Sequence, residues 1–330
     1  MKRIIPKLNL IPFFLSDLFL VSFSLVFIYR FSYIKITVLA SFLSFSPSIT
    51  YCTIPRPFNQ TDIMQYKKYR IVFASWLSTS PKSHILFFLE SLDIIWAKDL
   101  IKELETVFGP KRIIFGGKVK TGRKKTPFIN SWFLKGFHKS NTTYICFINA
   151  DIILSKSWLK TTVKCFNILN FQQRLLVVSE RLNFTMNNDI SSLDITKHDF
   201  EARLIDNINI LNPTPYGIYG MDTFTFKTSD FKDFSFSVIP PFYLGIYLWD
   251  IWIAGYFTKN FGSCSLRLSF PVYHINHHVS KPKRKTLFNR QIWKQNGKYT
   301  ACHTLTTWEI KDNHIITLDR NKTNITYSLE

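Results

Sequence analysis

From residue 49 to residue 178 the chain alternates two kinds of hydrophobic pattern. Short apolar runs at 49–52, 85–88, 112–115, 144–151 and 175–178 have the length and polar bounds of buried strands. Between them lie longer stretches whose apolar side chains recur every three or four positions. Residues 62–77 carry Ile63, Tyr66, Phe73 and Trp76 in this way, and 91–108 carry Ile95, Leu100, Leu104 and Val107 before Gly109-Pro110. Helices are likewise predicted over 127–137, with Phe128, Trp132 and Leu134 inward, and over 155–167. Strand–helix alternation with short connections predicts an α/β fold with a doubly wound, mostly parallel sheet. The second half is less regular. A helix is expected over 193–211, halted by Asn212-Pro213, then a strand at 223–226, a helix start at 250–256 and a strand at 268–274. No internal repeat or low-complexity tract interrupts the series.

The N-terminus is patterned differently. Lys2, Arg3 and Lys7 precede an apolar stretch at 9–29, interrupted by Asp17, and a second apolar stretch follows at 36–51. The first is long enough to span a bilayer, and its basic flank sets the N-terminus in the cytosol. The expected organisation is a cytosolic tail (1–8), a signal-anchor transmembrane helix (9–29), an apolar juxtamembrane segment (30–48) and one folded domain (49–330). A cleaved signal peptide and a two-span hairpin are the alternatives. A single-pass type II protein facing the lumen of the Golgi or endoplasmic reticulum accommodates the Asn-x-Ser/Thr sequons at Asn59, Asn141, Asn183, Asn321 and Asn324.

Composition adds a core and a charge. Hydrophobic residues make up 46% of the 330, enough to exclude a disordered chain. The formal charge of +20 opens nucleic acid, anionic lipid or phosphorylated substrates as partners. Most of the excess is scattered, but Lys118-Val-Lys120-Thr-Gly-Arg123-Lys-Lys125 and Lys281-Pro-Lys283-Arg-Lys285 are clusters, both read as loops near which a diphosphate could lie. With an apolar leader and no interleaved aromatic-basic motif, nucleic acid is not the expected partner. The five cysteines show no Cys-x-x-Cys spacing, so no cysteine metal site is expected.

Acidic residues are scarce, which makes those in apolar surroundings informative. Asp151 closes the run 144–151 as the second member of Asn149-x-Asp151. The end of a parallel strand is where open α/β sheets bind ligands, and a carboxylate there can hold a divalent cation against a nucleotide diphosphate. A helix N-cap at Asp151 or Ser155 is the plainer reading. Asp222 (Tyr219-Gly-Met-Asp222) and Asp250 (Leu248-Trp249-Asp250-Ile-Trp252) are set among aromatics, where a carboxylate is either paired or functional. A turn residue and a helix N-cap are their plainer readings. In His274-Ile-Asn276-His277-His278 the spacing makes no self-contained zinc site. One histidine given to a metal that Asp151 also holds fits better, beside the alternative of a solvated turn.

In order, Cys52-Thr-Ile-Pro55-Arg-Pro-Phe58, Ser75-Trp-Leu77, Phe147-Ile-Asn149-Ala-Asp151, Val177-Val-Ser-Glu-Arg181-Leu-Asn183, Tyr219-Gly-Met-Asp222-Thr-Phe, Ile239-Pro-Pro-Phe242-x-Leu-Gly245-x-x-x-Trp249-Asp250-x-Trp252 and Val272-Tyr-His274 resemble a family of GT-A-type glycosyltransferases. The resemblance implies a Rossmann-like nucleotide-diphospho-sugar transferase fold over 49–330. It implies transfer of a sugar from a nucleotide-sugar donor to a glycan, protein or lipid hydroxyl, with Mn2+ or Mg2+ as cofactor. Asp151 and His274 would hold the metal, and Asn149 would contact donor or metal in the place of the first carboxylate of an Asp-x-Asp pair. Arg56, Arg181 and Asp222 would bind donor or substrate. Trp249 would form the acceptor side, with Asp250 the general base. The alternative is an inactive relative that binds glycan or nucleotide. The chain departs from the family pattern at Leu89-Glu90-Ser91, at Lys125 and after Arg181.

Overall fold

The apolar runs of the first half become strands, and the periodic stretches become the helices that cover them. The computed structural model describes residues 46–58, 61–89, 95–277, 283–311, 314–318 and 326–328. The first half runs β1 (Ile49–Thr53), α1 (Ile63–Ser78), β2 (Ser83–Phe87), α2 (Ile95–Phe108), β3 (Ile113–Phe115), α3 (Ile129–Lys139), β4 (Tyr144–Ile148), β5 (Ile152–Ile153), α4 (Lys156–Ile168) and β6 (Leu176–Phe184). It continues through α5 (Asn188–Ser191), α6 (Phe200–Ile210), β7 (Thr214–Pro215), β8 (Met221–Lys227), α7 (Trp249–Asn260), β9 (Ser263–Ser265) and β10 (Val272–Ile275). The last elements are α8 (Lys283–Gln295), β11 (Trp308–Lys311), β12 (His314–Thr317) and β13 (Thr326–Ser328). Residues from Pro47 onward make one unit.

The main sheet runs β13-β12-β11-β9-β6-β8-β4-β1-β2-β3. Every strand in it points the same way except β8 and β12, so the mostly parallel expectation is met in a mixed sheet. The chain builds outward from β1 to β2 and β3, then returns to lay β4 on the other side of β1. That reversal opens a crevice beyond the ends of β1 and β4, where doubly wound sheets take their ligands.

Period-two alternation splits the core between the two faces. Tyr51, Cys146 and Ile148 pack with Trp76, Leu100 and Trp158 of the helices on one side. Cys52, Ile145 and Phe147 pack with Trp132, Phe133 and Trp252 on the other. Phe133 and Phe147 stack with ring centroids 3.9 Å apart, and a Cβ at Gly136 would fall 2.6 Å from the Phe147 ring, so only glycine fits there. All five cysteines are buried and unpaired.

Three expectations change. The helix foreseen over 193–211 is broken, and α6 starts only at Phe200, because Asp194 bonds the backbone N–H (2.9 Å) and hydroxyl (2.7 Å) of Thr196 and so favours a turn. The strand foreseen at 268–274 begins at Val272, directly after Pro271, which has no N–H to give a ladder. Lys283-Arg284-Lys285 of the second basic cluster open helix α8 rather than lying in a loop. The expected tail and anchor at 1–29, most of the juxtamembrane segment and the sequons at Asn59, Asn321 and Asn324 lie outside the described residues. Among the described residues no helix is long and apolar enough to cross a membrane.

Candidate active site at the ends of strands β1 and β4

Beyond the end of β4 the chain makes a short polar turn through Asn149 and Asp151 and enters β5. That two-residue strand pairs antiparallel with β10, setting Ile152 opposite His274, and the Ile275 N–H donates to the Asp151 carbonyl at 3.0 Å. Strand β10 also runs parallel to β6. A late strand is thereby stitched beside an early turn, and His274 and His277 reach the Asp151 carboxylate. His277 Nε2 lies 2.8 Å and His274 Nε2 3.7 Å from Asp151 Oδ2. One ligand atom from each of the three lies within 4.8 Å of the others.

Two of the three, Asp151 and His274, are shifted toward the protonation states a metal requires. Burial opposes charge on Asp151, but the hydrogen bond from His277 and the charges of His274 and Lys68 outweigh it and hold the carboxyl down at about 2. Burial lowers the pKa of His274, against the pull of Asp151, and so favours the neutral imidazole. Asp151 Oδ1 and His274 Nδ1 are buried without a hydrogen-bond partner among the described residues. Buried polar atoms are seldom left unsatisfied, and an oxygen beside two imidazoles suits Mn2+ and similar divalent ions. The residues present therefore fit such a cation. His277, which sequence reasoning did not choose, completes the set.

The second group is held by β8, which runs antiparallel between β4 and β6. It brings Asp222, 6% exposed, between Asn149 and Arg181. Asn149 Nδ2 donates to Asp222 Oδ1 at 2.8 Å and Arg181 Nη1 to Asp222 Oδ2 at 2.7 Å. A carboxylate only accepts, so this contact fixes which way the Asn149 amide is turned. The Arg181 guanidinium also lies 3.7 Å from the centre of the Tyr216 ring. Asp222 is thus a paired strand residue, not a turn residue. Replacing Arg181 with leucine leaves a buried carboxylate with one neutral partner. The expected cost is about 3–5 kcal/mol, read from the urea midpoint at constant slope.

The remaining expected residues fall on both sides of the crevice. Arg56 is exposed just after β1, its carbonyl accepting from the Tyr69 hydroxyl at 3.0 Å. Across from it is Gly245, at which a Cβ would stand 3.9 Å from Arg56 Nη2. Lys68 of α1, not foreseen, feels both Asp151 and Arg56, and burial lowers its pKa against the pull of Asp151. Its neighbour Lys67 gives the same sequence signal, so nothing local marks it out.

Asp250 lies in the first turn of α7, where its Oδ1 accepts from the Ile251 N–H at 2.9 Å. The N-cap is Leu248, in the left-handed region at φ 92°, a strained conformation for a branched residue. Burial pushes the Asp250 carboxyl up to about 6, with the negative charge of Asp222 adding to the rise. Trp249 is 5% exposed and packs against Phe224 (5.0 Å) and Trp132 (6.2 Å). It is a core side chain beneath Asp250, where the acceptor side was expected. The arrangement thus gathers a candidate cation site, two further basic groups and a carboxylate of raised pKa around the ends of β1 and β4.

No protein-family model and no curated protein matches the chain. Solved structures of glucosyl-3-phosphoglycerate synthase from Mycobacterium tuberculosis are similar to it. The complex with Mn2+, UDP-glucose and phosphoglyceric acid has a TM-score of 0.41 and 13% identity, over 86% of this chain and 88% of that one. The complex with Mn2+, UDP and glucosyl-3-phosphoglycerate gives 0.39 and 9%, over 86% and 87%. At such values the function rests on the site itself.

Proposed function

We propose that the chain is a metal-dependent glycosyltransferase of the GT-A type, moving a sugar from a nucleotide-diphosphate donor to a hydroxyl acceptor. The observation that carries this reading is the convergence of Asp151, His274 and His277 beyond the ends of β1 and β4. These three would hold the divalent cation, which when bound supplies charge neutralisation for the diphosphate leaving group. Arg56 and Lys68 add fixed positive charge on the same side, where negative charge develops as the sugar departs. Asp250 takes the acceptor proton. A carboxyl near 6 is ionised at neutral pH and more basic than an ordinary aspartate. The Asn149–Asp222–Arg181 tie keeps the floor of the crevice from shifting. The segment at 9–29 would anchor the domain on the lumenal side of a secretory membrane, a reading supported by its apolar length and basic flank.

The test is release of nucleoside diphosphate from a panel of UDP- and GDP-sugars, with Mn2+ and with the metal chelated. Metal-dependent release from at least one donor is expected. Failure of every donor to bind in the presence of Mn2+ would overturn the reading, and binding without turnover for any acceptor would assign a binding-only role.

A further inference from the structure

The two basic clusters of the sequence meet in space. The Lys285 ammonium of α8 donates to the Thr126 hydroxyl, joining segments 159 positions apart. Arg123, Lys124, Lys283 and Arg284 are exposed around this contact. The sequence carries no Asp or Glu between Thr106 and Ala150, nor between Ile251 and Trp308, so both segments are basic throughout. The basic excess here is therefore a face and not a background. Lys124 and Lys125 both adopt positive φ (53°), unfavourable for residues with a side chain, and both are exposed.

This face is tied to the reaction crevice by backbone. The Arg123 N–H donates to the Tyr243 hydroxyl (3.1 Å), and the Leu244 N–H to the Pro127 carbonyl (2.9 Å). Asn289 of α8, fully buried, accepts from the Tyr243 N–H and donates to the carbonyls of Tyr243, Ile246 and Tyr247. The loop so pinned contains Gly245, beside Arg56, and leads directly into Asp250. It also displays Tyr247, 59% exposed, a flat ring of the sort that covers the apolar face of a sugar.

We infer that this face recognises the acceptor, and that the acceptor is an anionic glycan bearing several phosphate or sulfate groups. The inference rests on the transferase reading. The donor diphosphate is served by Arg56, Lys68 and the cation site, so the further positive charge faces a second reactant. Continuity with the Asp250 loop distinguishes a reactant from a lipid surface, which has no need to border the crevice.

The probe is a heparin-derived octasaccharide, whose binding to the full chain is compared with that of its desulfated counterpart, of vesicles containing 30% phosphatidylserine and of a single-stranded oligonucleotide. Binding of the sulfated chain alone, or far above the others, is expected. Arg123→Glu/Lys124→Glu and Lys283→Glu/Arg284→Glu should each weaken it about tenfold or more and flatten its dependence on salt, because fewer counterions are released. Mn2+ affinity and melting temperature should stay as in the wild type. Equal binding of the desulfated chain, wild-type affinity in both variants, or tighter binding to vesicles or oligonucleotide would each overturn the inference. Donor binding with Mn2+ is measured in parallel. If it is absent while the octasaccharide result stands, the transferase reading fails and the anionic-glycan face does not.

Discussion

Replacing Asp151 with asparagine is expected to weaken Mn2+ binding by more than about 100-fold and to remove metal-dependent turnover. Loss of a supporting contact alone costs a metal site about 10–100-fold, and here a ligand and its charge go together. Asparagine keeps the size of the side chain, so packing at the turn is little disturbed. Two imidazoles then face a neutral amide, whose oxygen can still ligate a hard cation but brings no charge to offset the ion's own. Mn2+ titration followed by electron paramagnetic resonance gives the affinity directly, without any choice of sugar donor. His274→Ala and His277→Ala should fall between wild type and Asp151→Asn. An affinity for Mn2+ in Asp151→Asn within about threefold of the wild type would place the cation elsewhere.

Asp250→Asn should lower kcat by about 10²–10⁴-fold and leave Mn2+ and donor affinity unchanged, the mark of a lost general base. In the wild type, turnover should rise with pH to a plateau with a midpoint near 6, where burial has placed the carboxyl. The residual activity of the variant should lack that limb. Stability supplies an independent check with the opposite sign. Because the folded-state pKa is raised, the protonated form favours folding below the unfolded value of about 3.8. That contribution is lost as pH rises through about 6, so at neutral pH the ionised carboxylate is a burden on the fold. Asparagine carries no such charge, and the variant should melt at the wild-type temperature or above at pH 7.5. A slow but stable variant separates chemistry from folding, whereas a variant that melts early at pH 7.5 would make Asp250 a structural residue.

Much of the first half was legible because its signals are local. An apolar run such as Tyr144–Ile148 must be a strand, and a polar pair at its end must lie at the edge of the sheet. The chemical type of Asp151 and His274 could be read in the same way. Their meeting could not, since it depends on a two-residue pairing of β5 with β10. His277 was passed over because it lies beyond the end of β10, where strand alternation no longer says which way a side chain points. Trp249 and Asp250 are neighbours on one helix, and only tertiary packing decides that the indole joins the core while the carboxylate lies near Asp222 and Arg181. Strand–helix alternation predicts a mostly parallel sheet, but nothing in Thr223-Phe-Thr-Phe226 marks β8 as running against its neighbours. The broken helix before α6 shows the reverse error, an apolar period followed past Asp194, whose side chain competes with helical hydrogen bonding.

The antiparallel insertion of β8 has a consequence for how the molecule comes into being. Asn149 is tied to a residue 73 positions later, and Asp151 to one histidine on a strand later still and another just past its end. During synthesis, β1 to β4 with their helices emerge first and have the local contacts to form early, but the crevice they open has neither its floor nor its histidines. Uptake of a divalent cation would then be the closing event of folding, reporting that the last-made third of the chain has found its place among the first.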